Sequence, residues 1–146
     1  MKKKLFVRIA VINSILFVTI FLFAFSACKN EVGCGKIIPK VVTEQVKWDS
    51  DDPAIWINPE DPAKSLIIGT DKETDGALYV FDLNGKVIEE KTVRGLKRPN
   101  NVDIEYGFML NGNPVDIAVA TEREANKIRI YSLPEMKEID NGGIEV

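Results

Sequence analysis

The first residues that could do chemistry are three aspartates close together. Asp49, Asp51 and Asp52 are followed by Pro53 and then by an apolar run. Proline fixes its own φ and favours an extended conformation for the residue before it, so we expect a strand to begin at Ala54. Hard cations such as Ca²⁺ take several carboxylate and carbonyl oxygens as ligands. The stretch therefore fits either a pair of calcium ligands or an acidic turn that is only solvated by water.

The composition narrows the chemistry that is open to the chain. Its 146 residues include no histidine, which excludes a Ser-His-Asp triad within the chain, a phosphohistidine mechanism and most zinc sites. Cys34 has Lys40 rather than an arginine six positions later, so the loop of the cysteine phosphatases is absent. Carboxylates, lysine, arginine and a hard metal remain for catalysis.

Residues 1–27 have the pattern of a targeting segment. Four basic residues come first, and an apolar stretch of 19 residues ends in small residues before Cys28. This pattern predicts a secretory signal of the bacterial lipoprotein type, with Cys28 acylated after cleavage. An uncleaved membrane anchor is the alternative, and a disulfide between Cys28 and Cys34 is the alternative to lipidation. In each case we expect the body of the protein outside the cytoplasm, anchored to a membrane in the periplasm or at the cell surface, or secreted.

The charge of the remaining chain limits its partners. Without residues 1–27, the sequence has 15 Lys and Arg against 22 Asp and Glu, a net charge of −7. This charge speaks against nucleic acid as a partner. An anionic substrate would need a cation between itself and the protein.

The pattern along the chain is typical of short strands separated by turns. We take residues 28–44 as a tether and lead-in and residues 45–146 as the folded body. Asn84-Gly85 indicates a hairpin turn, and no amphipathic helix with caps is evident. The predicted strands are residues 54–57, 65–70, 77–83 and 87–93.

The pattern then repeats after about 51 residues. A period of 40–50 residues with about four strands per unit is typical of the blades of a β-propeller and favours it over an ordinary antiparallel sandwich. We therefore predict an all-β fold with four-stranded antiparallel blades, of which this chain holds about two. Equivalent positions of successive blades share a radius and height, so repeated charges would surround one axis. The matches are Ile67-Ile68-Gly69-Thr70 with Ala118-Val119-Ala120-Thr121, Asp52 with Asp103, Lys72 with Arg123, and Leu78-Tyr79-Val80-Phe81 with Ile128-Arg129-Ile130-Tyr131.

The ordered set of motifs resembles the β-propeller phytases, a family of calcium-dependent 3-phytases. Order and spacing agree from about Val42 to Leu133. The motifs are Asp51-Asp52-Pro53-Ala54-Ile55-Trp56, Gly69-Thr70-Asp71-Lys72, Leu78-Tyr79-Val80-Phe81-Asp82-Leu83, Asn100-Asn101-Val102-Asp103-Ile104, Val115-Asp116-Ile117-Ala118-Val119-Ala120, Glu122-Arg123 and Asn126-Lys127-Ile128.

The resemblance implies a six-bladed propeller, monomeric when complete, that hydrolyses phytate (myo-inositol hexakisphosphate) with calcium to lower inositol phosphates and phosphate. Calcium would bind the substrate phosphates and activate a water. It implies that Asp51 holds a catalytic calcium. Asp52 would hold a more structural one together with carbonyls near Pro53 and Val102. Asn101 and Asp103 belong to the same neighbourhood.

The resemblance also implies that Lys72 and Arg123 bind phosphate groups. Glu73 stands where the family often has a second basic residue, so one phosphate contact is replaced here. A structural interpretation remains open for each residue. Asp103 could be the outward residue of a strand, Asn100-Asn101 a turn, and the two cations ordinary loop charges.

Two other functions remain open. The chain could be a calcium-stabilised, non-enzymatic binding or scaffold module, or another propeller hydrolase such as a lactonase, although the repeated cations favour phosphate over a neutral lactone. Two units account for residues 45–146, and propellers need at least four. We therefore expect these residues to be the N-terminal part of a longer protein and to have no turnover alone.

Overall fold

Residues 37–146 are described by the computed structural model, and those from Pro39 onward form one unit. The interpretation of residues 1–27, the lipidation of Cys28 and the pairing of Cys34 lie outside these residues. No helix among the described residues has the length and apolar character needed to cross a bilayer. The strands are β1 (Ser50–Trp56), β2 (Leu66–Asp71), β3 (Gly76–Phe81), β4 (Val93–Leu96), β5 (Pro99–Leu110), β6 (Asn113–Glu122), β7 (Lys127–Ser132), β8 (Lys137–Glu138) and β9 (Ile144–Glu145), with short 3₁₀ helices at Pro62–Lys64, Glu89–Lys91 and Arg123–Ala125.

The strands form two antiparallel sheets in sequence order. The first sheet has the order β1-β2-β3-β4, and the second has the order β5-β6-β7-β8, with β9 also paired to β7. Each sheet is a meander that begins with its edge strand, as the blades of a propeller do. The predicted all-β, propeller-type fold with about two blades is confirmed.

The fourth strand of the first sheet differs from the predicted strand at residues 87–93. Val87 forms an isolated bridge with Phe81, and the chain then turns through the 3₁₀ helix Glu89–Lys91 before β4 begins at Val93, which pairs with Leu78. Thr92 causes the turn, because its backbone N–H and its hydroxyl both bond to the carbonyl oxygen of Ile88, at 3.2 Å each. In the second sheet the same position along the repeat is also divided, into β8 and β9.

The first strand begins earlier than Ala54. β1 starts at Ser50 and contains Pro53, which has no N–H to donate to a ladder. The strand tolerates Pro53 because β1 is the edge of its sheet and its pairing with β2 shifts between Ser50 and Pro53. The turn at Asn84-Gly85 is confirmed, with the Gly85 N–H bonded to the carbonyl of Asp82 at 3.0 Å.

The core lies between the two sheets. Residues at equivalent positions of the repeat face this core in one sheet and face away from it in the other. In the first sheet Ile68 and Val80 are buried, whereas their repeat equivalents in the second sheet, Val119 and Ile130, are only half-buried. The second sheet instead packs its other face against the first sheet, with Ala118, Ala120 and Tyr131 in the shared core. Successive blades stacked in one direction require this arrangement, because each blade has a neighbour on either side.

Candidate functional site

Asp51 and Lys72 form an ion pair beside the start of β1. Asp51 lies in β1, and Lys72 follows the last residue of β2. The Lys72 Nζ atom is 2.7 Å from Asp51 Oδ1, and the two side chains are 25% and 31% exposed. The lysine therefore neutralises the carboxylate that the sequence assigned to a catalytic calcium, at a position that solvent and ligands can reach.

Asp52 joins the first strands of the two sheets. Its backbone N–H donates to Thr70 Oγ1 at 2.9 Å, and its Oδ2 accepts the backbone N–H of Val102 at 3.0 Å. The Thr70 hydroxyl also lies 3.4 Å from the carbonyl oxygen of Asn100. The predicted neighbourhood of Asp52 and Val102 is therefore brought together, although the role of either residue as a metal ligand remains a prediction.

Asn101 and Asp103 lie on the neighbouring strand β5. The Asn101 N–H donates to Thr121 Oγ1 at 3.1 Å, and its side-chain oxygen accepts from Asn100 Nδ2 at 2.6 Å. Asp103 is exposed, and its Oδ1 accepts the N–H of Ile104 at 2.8 Å, a bond to the next residue. Asn101 thus belongs to the hydrogen-bonded group around the two sheet edges, whereas Asp103 is an outward residue of its strand.

The repeat match between Asp52 and Asp103 is wrong by two residues. Ser50 pairs with Asp71 in the first sheet, and Pro99 pairs with Glu122 in the second. The second-strand residues are thus 51 positions apart, but the first-strand residues are only 49 apart. The threonine bonds give the same spacing, since Thr70 accepts from Asp52 and Thr121 from Asn101.

This register changes the charge of the second repeat. With a spacing of 49, Asn100 stands where the first repeat has Asp51. Arg123 is exposed and forms no ion pair with any residue of 37–146, whereas its equivalent Lys72 is paired. The chain has the same backbone arrangement twice, but only the first copy neutralises its own cation.

Arg123 borders a cleft of about 310 Å³ at the end of β6. A second cation of the cleft, Lys127, donates from Nζ to the carbonyl of Gly142 at 2.9 Å. Polar amide and hydroxyl groups complete the wall and can donate hydrogen bonds to an anion. The cleft is lined by Asn100, Thr121, Glu122, Arg123, Asn126, Lys127 and Val146.

A buried ionic network supports the base of this cleft. The side chain of Arg129 contacts Glu122 at 3.1 Å, Glu138 at 2.6 Å and Asp140 at 3.0 Å. Burial by itself would lower the pKa of Arg129, but its hydrogen bonds to Asp140 and Glu122 outweigh burial and hold the pKa above the usual value. Arg129 therefore stays charged and fixes Glu122, the residue before Arg123.

The donor atoms suit a hard cation in kind. The carboxylates of Asp51 and Asp52 and the carbonyl and amide oxygens of β5 are the ligands that Ca²⁺ prefers, and water usually completes its coordination. Among residues 37–146, no group of three or more His, Cys, Asp or Glu side chains is arranged to hold a metal ion. The described residues can therefore supply two carboxylates and neutral oxygens to a calcium site.

Thr70 and Thr121 are positioning residues of the candidate site that sequence reasoning missed. Each hydroxyl accepts the backbone N–H of a first-strand residue, at 2.9 Å and 3.1 Å, and so fixes the strand that carries the acidic or amide groups. Both threonines end the repeated strand motif of the sequence, immediately before an acidic and a basic residue. That signal was present, but it indicated a strand position and not a contact.

Comparison with known proteins shows the family of the chain. A model of the Phytase family matches residues 4–141. A curated 3-phytase of Bacillus subtilis (strain 168) is 42% identical over 86 residues, which are 58% of this chain and 21% of that relative. The matched part therefore spans about a fifth of the length of the curated relative. Since the family model covers most of the sequence, this chain belongs to the phytase family.

Proposed function

We propose that this protein hydrolyses phytate and that this chain supplies part of a calcium-dependent phosphate site. The observation that carries the proposal is the repeated placement of a cation after the second strand of each sheet. The backbone N–H of Lys72 donates to the carbonyl of Asp49 at 2.7 Å, and that of Arg123 donates to the carbonyl of Arg98 at 3.1 Å. Two cations held alike on successive sheets fit a substrate that carries several phosphate groups.

The proposed calcium site lies at the start of β1. Phosphate monoesters hydrolyse extremely slowly without a catalyst. A calcium ion would supply positive charge to the phosphate and lower the pKa of a bound water, which suits a chain without histidine. Asp51 and Asp52 are the proposed ligands, and Asn101 and Val102 would supply oxygens in the same neighbourhood. Asp103 would take part only through an ion on the outward face of β5.

The cations of the chain have a separate role in the proposal. Lys72 would leave Asp51 when a cation takes that carboxylate, and its ammonium would then bind a phosphate oxygen. Arg123 would bind a second phosphate at the cleft, where its guanidinium can donate two hydrogen bonds. We further propose an extracytoplasmic location with a lipid on Cys28 and a monomeric complete protein.

The first experiment separates substrate binding from calcium binding. We would replace Lys72 and Arg123 by alanine in the complete protein and measure phytate affinity by calorimetry, calcium-dependent melting, and phosphate release from phytate. Lys86→Ala removes the same charge from an exposed residue that pairs only with Glu44 and serves as the control.

The expected result is at least about a tenfold loss of phytate affinity for Lys72→Ala and Arg123→Ala, because each removes a charge-assisted contact. The calcium-dependent melting shift should remain, and Lys86→Ala should behave as the unmodified chain. A non-enzymatic scaffold would keep the calcium shift and show no effect of any variant on phytate. That outcome would refute the proposal.

A further inference from the structure

Asp71 is a buried carboxylate that the proposed function does not use. It is 1% exposed, and its two oxygens accept the backbone N–H groups of Trp48, at 3.2 Å, and of Asp49, at 2.7 Å. The next residue, Lys72, returns a backbone bond to the carbonyl of Asp49. The segment before β1 is therefore held twice. Its N–H groups bond to the Asp71 carboxylate, and its C=O group bonds to the Lys72 amide.

Glu122 makes the equivalent connection in the second sheet. It is 5% exposed, and its Oε1 accepts the backbone N–H of Lys97 at 2.7 Å. The next residue, Arg123, donates its N–H to the carbonyl of Arg98. Lys97 and Arg98 precede β5 at the same distance as the corresponding residues precede β1, so the same junction occurs twice.

We propose that Asp71 and Glu122 are positioning residues for the phosphate-binding cations, an inference that rests on the proposed function. Each acid fixes the segment to which the amide of the next residue bonds, and so sets the backbone from which the Lys72 or Arg123 side chain extends. A buried carboxylate is costly unless its oxygens are hydrogen-bonded. Both oxygens of Asp71 bond to this junction, whereas Glu122 gives Oε1 to the junction and Oε2 to Arg129. The repeated order is threonine, acid, base, with each residue bonded to the segment that forms the first strand of its sheet.

The sign of the effect on anion binding separates positioning from simple charge. A carboxylate next to a cation repels an anion, so removal of its charge alone would strengthen phytate binding. If the acid positions the cation, removal of its charge loosens the backbone and weakens phytate binding. The two interpretations therefore predict opposite changes for the same variant.

The experiment uses Asp71→Asn and Glu122→Gln in the full chain, with Asp71→Glu as the conservative variant because the second junction carries glutamate. Asp116→Asn is the matched control. Asp116 accepts two hydrogen bonds, from Trp56 Nε1 at 2.8 Å and from the Gly107 N–H at 2.9 Å, at the opposite end of β1. Amide hydrogen exchange by NMR and phytate affinity by calorimetry are measured for every variant, with thermal melting as a check of folding.

We expect Asp71→Asn to raise amide exchange of Trp48, Asp49 and Lys72 by about tenfold or more and to weaken phytate binding by a similar factor. Glu122→Gln should do the same at Lys97 and Arg123. Asp71→Glu should restore most of the affinity, and Asp116→Asn should change neither the exchange at the junctions nor the phytate affinity. Glu122→Gln also weakens a buried contact with Arg129, so thermal melting shows which variants are folded. Each acid-to-amide variant that folds tests its own junction.

Two outcomes would overturn the inference. One is unchanged exchange at Lys72 and Arg123 in the acid-to-amide variants. The other is tighter phytate binding by these variants, which would show that the acids act only through their charge. A chain that binds no phytate but whose Lys72 amide opens in Asp71→Asn would refute the proposed function and leave the backbone role of the acid intact.

Discussion

Arg129→Met should be among the most destabilising single substitutions in the described part of the chain. The Arg129 side chain is 10% exposed and contacts three carboxylates, of which those of Glu122 and Asp140 are 7% and 0% exposed. Methionine fills much of the same volume with no charge. The substitution therefore leaves two buried carboxylates with no cation beside them.

The magnitude follows from the burial of each partner. Removal of one member of a buried ion pair costs about 3–5 kcal/mol, because the other charge stays buried. The pair with Glu138, whose side chain is 47% exposed, adds at most about 1 kcal/mol. We expect a loss of about 4 kcal/mol, a large part of the roughly 5–15 kcal/mol that stabilises a typical domain. At about 4–8 °C for each kcal/mol, the melting temperature should fall by roughly 15–30 °C.

Urea denaturation at neutral pH tests this estimate. Glu138→Gln is the control, because it removes one charge from the exposed edge of the same network and should cost about 1 kcal/mol or less. If Arg129→Met costs no more than Glu138→Gln, the network does not carry the stability that we assign to it.

The dependence on pH gives an independent check. Burial would raise the pKa of Asp140, but its hydrogen bonds from Arg129 and from the Ile130 N–H outweigh burial and lower the pKa below the usual value. The folded protein is therefore stabilised above the ordinary pKa of aspartate, and that contribution is lost as the pH falls through the lower folded value. In Arg129→Met the hydrogen bond and the charge of Arg129 no longer lower the pKa of Asp140, so we expect this pKa to rise. Acidification then protonates the carboxylate that has lost its cation and removes the cost of its buried charge. The stability difference between the two proteins should shrink from pH 7 to about pH 5, and a constant difference would contradict this account.

Three further predictions concern the site and the contact between the sheets. Lys72→Met should tighten terbium or calcium binding by about two- to fivefold, because Asp51 loses its tethered cation; weaker binding in a luminescence titration would contradict this. Gly76→Ala should destabilise the chain by about 1–3 kcal/mol in urea, because a Cβ there would clash with the backbone carbonyl oxygens of Asp71 and Glu73. Trp56→Phe should cost about 1–3 kcal/mol, because it removes the 2.8 Å hydrogen bond to Asp116. A double-mutant cycle with Asp116→Asn should show strong coupling, and additive effects would show that this bond does not contribute to stability.

The sequence predicted the first three strands of the first sheet, and the repeat located the second and third strands of the second sheet. It did so most clearly where apolar residues reflect burial directly. Leu78 and Val80 are buried in the core between the sheets, and Tyr79 and Phe81 pack on the other face of β3. A strand that is covered on both faces reads as an unbroken apolar run, which is easy to recognise. The outer strand could not be predicted in the same way, since hydrogen bonds from Thr92 to Ile88 decide its course and leave no periodic signal.

Sequence spacing failed where the length of the connections changes. β1 and β2 are joined by an irregular segment with a 3₁₀ helix, whereas β5 and β6 continue as a long hairpin with a tight turn at Asn111 and Gly112. The number of residues between the first and second strands therefore differs between the repeats, whereas the hydrogen bonds that join these strands are the same. The equivalent of Asp52 is consequently found from the threonine that binds it and not from a count of residues.

The two repeats, aligned by their hydrogen bonds, differ in the residue that faces the repeated cation. Assigned by their hydrogen bonds, the first repeat places Asp51 beside Lys72, and the second places Asn100 where that aspartate would be. A bound cation would compete with Lys72 for Asp51 and release the ammonium, whereas Arg123 has no carboxylate at the equivalent position to leave. Under the proposed function, one backbone arrangement would thus present one cation whose release depends on metal binding and one that is independent of it. Affinity for a phosphate at the first repeat should therefore respond to calcium more strongly than affinity at the second.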